Sequence, residues 1–260
     1  MIMRLCLLLS WMGIVLPGFA AAPTPPMHDG ERLTYRVSWA IVAGAGEIKL
    51  AARQITSAEG TRLVVTQSTT TRRLAKMLLP FEAEAASTFD VKTGRLLTLH
   101  EKSSTRSKKA EHTVSFNYDS RIATYLSAKA PNEPRPLPIP AGDPTDLMMG
   151  LLQTRTWDLK PGEKRDALVL FDDDFYELTI HMLRYEDVRT PLGMFRTIVL
   201  EPRMDKTAPQ GMFKRGSTVR IWIAQDRHRL PVKFEVEFKI GTGTATIESY
   251  EPSPSAPPKP

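Results

Sequence analysis

Five histidines, one cysteine and a run of three aspartates are the residues of this chain best suited to chemistry. His28, His100, His112, His181 and His228 fall in no H-x-H or H-E-x-x-H spacing, the arrangements that aim two imidazoles at one zinc ion. His100 and His112 flank a basic stretch, so a hairpin would bring them together near Glu101 and Glu111 as a metal pair. Polar residues at a hairpin edge are the commoner arrangement and the reading adopted. Asp172, Asp173 and Asp174 open like an acidic calcium loop but lack its glycine and distal glutamate, and fit a hairpin turn instead. Gly211 to Thr218 has the glycines of a phosphate loop, but its lysine is misplaced and a strand follows, with no helix to supply amides. There is no G-x-S-x-G elbow, no serine–histidine–carboxylate set and no distinct pair of acids for glycoside hydrolysis. The chain is therefore read as a non-enzyme without cofactor or metal.

The ends of the chain frame the rest. Arg4 precedes an apolar run, Leu5 to Leu16, which Pro17-Gly18 interrupts before the small residues Ala20 to Ala22. That is the anatomy of a cleavable secretory signal over residues 1–22, too short for the ~20 residues of a membrane span. The periplasm is the expected destination. Cys6, the only cysteine, lies inside this leader, so the mature chain carries neither a disulfide nor a zinc–thiolate site. At the other end, residues 251–260 are half proline and are read as a disordered tail.

With 42% hydrophobic and 25% charged residues, the mature chain has the composition of a globular domain, assigned to residues 23–250. A formal charge of +6 points to acidic partners such as anionic lipid, lipopolysaccharide or cell-wall polymer, and not to nucleic acid. The cations concentrate in two stretches, Lys102 to Lys109 and Arg203 to Arg215, without the interleaved aromatics of a single-strand binder. Solvated basic loops are the plainer account of both.

The elements that must position these residues are mostly strands. Leu33, Tyr35, Val37 and Trp39 alternate with Thr34, Arg36 and Ser38, and Phe234, Val236, Phe238 and Ile240 alternate with Lys233, Glu235, Glu237 and Lys239. Similar runs span 48–52, 63–68, 96–100, 112–118, 167–171, 176–183, 195–201, 219–224 and 244–250. Turn residues separate them at 58–60, 92–94, 172–174, 191–193 and 241–243. One helix is predicted, N-capped by Asp143, with Pro144 in its first turn and Leu147, Met148, Leu151 and Leu152 as its apolar stripe. Before it, Pro131, Pro134, Pro136, Pro138 and Pro140 make an extended crossing segment, neither strand nor helix.

A shorter amphipathic piece, Thr71 to Leu79, sets Leu74, Met77 and Leu78 beside Arg72, Arg73 and Lys76. It reads either as a core-capping turn or as a lid or touch-down site on anionic membrane. The fold class is mainly β: a single curved antiparallel sheet or open half-barrel with one packed or plugging helix. On that architecture a hydrophobic ligand on the concave face would meet Trp39, Leu74, Met77, Leu78, Met148, Leu152 and Trp222. The partner is then a lipid or lipidated ligand, or an envelope protein, with at most peripheral membrane contact. A structural partner in envelope maintenance is the alternative, and a polymer hydrolase comes third.

Four stretches also resemble a known family: Leu33 to Trp39 with Gly44 to Glu47; Asp146 to Met148 with Leu151 to Arg155; Thr190 to Gly193 with Arg196 to Ile198; and Ile221 to Asp226 with Arg229 to Val232 and Gly241. In order, they are similar to the bacterial domain-of-unknown-function family 3108, a set of exported proteins. The resemblance implies an exported β protein, akin in shape to the open barrels that carry lipoproteins across the periplasm. It implies no reaction and no catalytic residues.

Overall fold

The computed structural model describes residues 24–254, apart from 41, 59, 79, 211–212, 214–216 and 239–240 and the side chains of Arg73, Leu74, Leu78 and Phe238. The leader, most of the proline-rich tail and much of the Gly211–Thr218 stretch lie outside the described residues.

The chain starts at the centre of a sheet, walks to one edge, crosses over and walks back. The outward half comprises β1 (Arg32–Trp39), β2 (Val42–Ser57), β3 (Gly60–Thr71), a short helix α1 (Arg73–Leu78), β4 (Phe81–Asp90), β5 (Leu96–Thr105), β6 (Lys109–Asn117), β7 (Ile122–Ser127) and β8 (Arg135–Pro138). The return half begins with β9 (Thr145–Asp146) and α2 (Leu147–Gln153). It continues with β10 (Lys164–Phe171), β11 (Asp174–Thr190), β12 (Gly193–Arg203), β13 (Thr218–Ala224), β14 (Pro231–Phe238) and β15 (Gly241–Glu251). Among the described residues the result is one 15-stranded sheet in the order β8-β7-β6-β5-β4-β3-β2-β1-β15-β14-β13-β12-β11-β10-β9. Each neighbouring pair is antiparallel except β9 with β10. Local hairpins build nearly all of it, and the pairing of β1 with β15 joins the halves.

The sheet curls until its two edges face each other. Arg135 on β8 ion-pairs with Asp173 in the β10–β11 turn. Side chains bridge the seam where a closed barrel would have a backbone ladder, so the barrel is open. β8 corrects the expectation that the proline-rich segment contains no strand. Pro136 and Pro138 alternate with Arg135 and Leu137 opposite β7, and an edge strand leaves one row of backbone sites unpaired, so the missing N–H groups cost no ladder bond. Prolines there also guard the edge against pairing with another chain.

The core fills the concave side, as strand alternation requires. Leu33 and Tyr35 of β1 sit opposite Leu50 and Ile48 of β2, and Ala245 pairs with Phe234, which pairs in turn with Ile221. Ser87 of β4 pairs with Val65 and Leu99, both core residues, and so faces inward; its hydroxyl donates to Asp146 Oδ2 at 2.6 Å. That bond places the start of α2 inside the curve, as the plug the apolar stripe demands.

Asp146, not Asp143, caps this helix: its Oδ1 accepts from the Met149 amide at 2.9 Å. Thr145 and Asp146 pair with Val169 and Leu170, so the backbone is still extended where the sequence predicts the first turn. Gly150 lets α2 approach β10, because a Cβ there would lie 2.9 Å from Val169 Cγ1 and 3.2 Å from Thr145 Cγ2. Gly150→Ala, which would stabilise an exposed helix, is therefore expected to lower stability by about 1–2 kcal/mol, measurable by chemical denaturation.

Turn chemistry sets the hairpins. Asp172 and Asp173 close the β10–β11 hairpin, with Asp172 at φ 58, a conformation aspartate tolerates better than most side chains. Gly241 and Gly243 prove to be strand residues of β15.

Candidate functional site

Along the outward half, the inward-facing residues change character from one end of the strands to the other. On β3 they run from Leu63 and Val65 to Gln67 and Thr69, and on β4 from Phe89 and Ser87 to Ala85 and Ala83. On β5 Leu99 gives way to Glu101 and Ser103, and on β6 Val114 gives way to His112 and Ala110. The aliphatic positions are fully buried, whereas Gln67, Thr69, Ala83, Ala85, Glu101 and Ser103 are only half-buried. Small and polar side chains leave room that leucines would fill, so this end of the barrel forms an open mouth.

Two features far apart in sequence frame that mouth. α1 lies where β3 ends, with the Arg72 amide bonded to the Ala45 carbonyl at 2.7 Å. The β5–β6 hairpin carries the first basic stretch to the same place, and Arg106 there donates to the Met77 carbonyl at 2.7 Å. Met77 is 72% exposed and Phe81 is also exposed. Arg72 pairs with Glu47, Lys76 with Glu82 and Lys102 with Glu84, but Arg106, Lys108 and Lys109 have no carboxylate partner among the described residues. On the opposite wall Trp39 pairs with Gly243, where a Cβ would lie 3.2 Å from the indole ring. Glycine is what lets that ring lie across β15.

The floor of the mouth is polar. Burial pushes the Asp146 carboxyl up to about 6; the Ser87 hydroxyl and the Met149 amide pull the other way, and the charge of Glu101 adds to the rise. His112 stacks on Tyr125 with ring centroids 4.9 Å apart, and its Nε2 stands 3.1 Å from Glu101. Ser87 donates to a carboxylate and not to an imidazole, so the pair is not a serine–histidine arrangement.

Of the residues assigned from sequence, Trp39 and Met77 stand at the mouth. Leu74 and Leu78 belong to α1, with side chains outside the described set. Met148 is half-buried against the core, but Leu152 has no exposed surface. Trp222 alternates with Ile221 and Ile223 and so points to the convex side, 2% exposed, donating to Glu186 at 3.1 Å beneath the Lys233 ammonium. Neither Leu152 nor Trp222 offers a surface to a ligand on the concave face. His100 and His112 correct the metal-pair alternative: in the hairpin His100 faces outward to Glu111 at 3.0 Å and His112 inward to Glu101. No group of three or more metal-ligating side chains occurs among the described residues. Sequence reasoning missed the Ser87–Asp146 and Glu101–His112 pairs, since both depend on which residues the sheet register turns inward.

A family model described as a protein of unknown function, DUF3108, matches residues 34–248. The chain belongs to this family. The match takes in β1 to β15 almost entirely, including the strands and loops that form the mouth. No curated protein matches the chain.

Among solved structures, the β-barrel-like protein of domain of unknown function DUF1849 from Brucella abortus is similar in fold, with a TM-score of 0.53 at 8% identity, covering 87% of this chain and 98% of that one. A protein described as exported, with a YmcC-like fold, from Bacteroides fragilis scores 0.35 at 11% identity, covering 88% and 99%. One described as a lipoprotein, from Parabacteroides distasonis, scores 0.36 at 10% identity, covering 88% and 99%. Among the described residues of this chain, no helix is long and apolar enough to cross a membrane.

Proposed function

We propose that this protein is an exported, non-catalytic component of the cell envelope that binds an anionic amphiphile at the mouth framed by α1, Trp39 and the β5–β6 hairpin. The observation that carries the reading is the meeting of a half-open concave lining with exposed Met77 and the unpaired cations Arg106, Lys108 and Lys109. An acyl chain would pass over Trp39 into the wide end of the barrel, and the headgroup would remain among the cations, as in other peripheral lipid contacts. Export to the periplasm is supported by the leader-like residues 1–22. The filled interior around α2 argues against a carrier that swallows its cargo whole, and favours a ligand held at the rim.

Protein purified from the periplasm and examined by native mass spectrometry is expected to retain or take up lysophosphatidylglycerol. Titration should change the emission of Trp39, because Trp157 and Trp222 are buried, and Trp39→Phe should abolish the change. Exchanging Arg106, Lys108 and Lys109 for glutamate should weaken binding to anionic vesicles about a hundredfold or more, at ~1 kcal/mol per cation. Met77→Asp should weaken binding to zwitterionic vesicles as well. Repeated recovery without ligand, together with no emission change on titration, would refute the reading. Cross-linking in cells would then test the alternative, a purely structural envelope partner, which the extensive filled core favours.

A further inference from the structure

The opposite end of β1 carries a second cleft, of about 400 Å³, between the N-terminal segment at Thr24–His28, the 3-10 turn at 154–156 and the β13–β14 turn. Its lining includes Arg155, Arg227, Arg229, His28 and His228 and, among the described residues, no carboxylate. Glu31, buried behind it, neutralises Arg155 at 2.8 Å. Arg227 and Arg229 have no such partner among the described residues. Arg227 Nε donates to His228 Nε2 at 3.1 Å, which leaves Nδ1 of that ring to carry the proton toward the Tyr250 hydroxyl. Arg229 donates to the carbonyls of Arg155 and Trp157, at 2.7 and 2.5 Å.

The turn that presents these two arginines is built to hold one shape. Asp226 Oδ1 accepts the amides of His228 and Arg229, both at 3.0 Å, and Arg229 sits at φ 46, where side chains other than glycine are rare. Two guanidinium groups presented by one fixed turn, with no counter-charge among the described residues, set the class of ligand. A carboxylate would cancel only one charge, whereas a phosphate group carries −1.5 to −2 near pH 7 and accepts hydrogen bonds at three oxygens. The cleft walls of Pro25 and Tyr250 leave space for a substituent on that phosphate.

We infer that this cleft binds a phosphate group, with Arg227 and Arg229 as its charge partners and His228 orienting Arg227. The group could be free phosphate or the head of a phospholipid, and titration separates the two sources. Full-length mature protein at low salt would be titrated calorimetrically with inorganic phosphate and, separately, with short-chain phosphatidic acid.

Saturable binding of inorganic phosphate, weakened about tenfold by Arg227→Gln, is the expected result. Equal affinities would assign free phosphate, and much tighter binding of phosphatidic acid would assign the lipid head. Arg32→Gln, which removes an exposed arginine paired with Glu251, should leave both titrations unchanged. Arg227 clamps no other element, so its substitution tests the site even where Arg229→Gln loosens the turn. Absence of saturable binding by both ligands, or an unchanged affinity in Arg227→Gln, would overturn the assignment. Met77→Asp alters the mouth alone, which keeps this site's outcome distinct from that of the amphiphile reading.

Discussion

Glu31→Ala is expected to lower the unfolding free energy by about 3–5 kcal/mol, the cost of leaving a buried charge without its partner. Glu31 has no exposed surface, and its carboxylate meets the Arg155 guanidinium at 2.8 Å and the His28 amide at 3.0 Å. Burial by itself would push this carboxyl up; the His28 hydrogen bonds and the Arg155 charge outweigh it and hold the group at about 2. The sign follows from the depressed value. Above the unfolded pKa near 4.5 the pair contributes its full stabilisation, about 3 kcal/mol, and loses it as pH falls toward 2.

The pair also fastens the end of α2 to the start of β1, and Arg155 extends the tie by donating to the His228 carbonyl at 2.7 Å. Chemical denaturation of Glu31→Ala between pH 3 and 8 would check the prediction. A loss below about 1 kcal/mol at neutral pH would show that the pair behaves as a surface ion pair. Replacing Glu31 and Arg155 together by methionine should recover most of the loss, because neither charge is then stranded.

Asp146→Asn should act in the opposite direction and stabilise the protein by about 2–3 kcal/mol at pH 8. The carboxyl is held at about 6 in the folded chain against an ordinary 3.8, so the folded state binds the proton more tightly. Stability therefore falls as pH rises through the window from about 4 to about 6, and the penalty persists above it. Asparagine keeps a side-chain oxygen for the Met149 amide and carries no charge, so it preserves the cap while removing the penalty. Below pH 4 the variant should match the natural protein. Thermal unfolding from pH 4 to 8 reads the difference, and parallel curves for the two proteins would sink the account.

Much of the fold was written in local pattern. Strict alternation in Leu33 to Trp39 and in Phe234, Val236 and Phe238 specifies strands with one wet face, and Asp172-Asp173 specifies a tight turn, because these depend only on a few neighbouring residues. A meander of hairpins is built almost wholly from such local choices, so a curved β sheet with an inner helix was legible. β4 was not: its inward residues Ala83, Ala85 and Ser87 are too small to mark a strand, and only flanking ladders hold it extended. β8 was hidden for a related reason, since proline is permitted only when a strand lies at an edge, and edges are a property of the whole sheet.

The candidate sites divide the same way. Residue type alone marked Thr71 to Leu79 as amphipathic and Lys102 to Lys109 as basic. Their meeting at one rim required the β4–β5 register, which sets Phe81 opposite Thr105. Whether Trp222 and Leu152 were available to a ligand was decided by which face each took and what covered it, and no sequence period contains that. Glu31 and Arg155 lie 124 positions apart, and only closure of β1 over the end of α2 makes them partners. By itself the sequence determined the strands of strict alternation, the existence of α2 and the charge of the protein. Tertiary structure decided which of those charges meet, because long-range pairing depends on the register and curvature of the entire sheet.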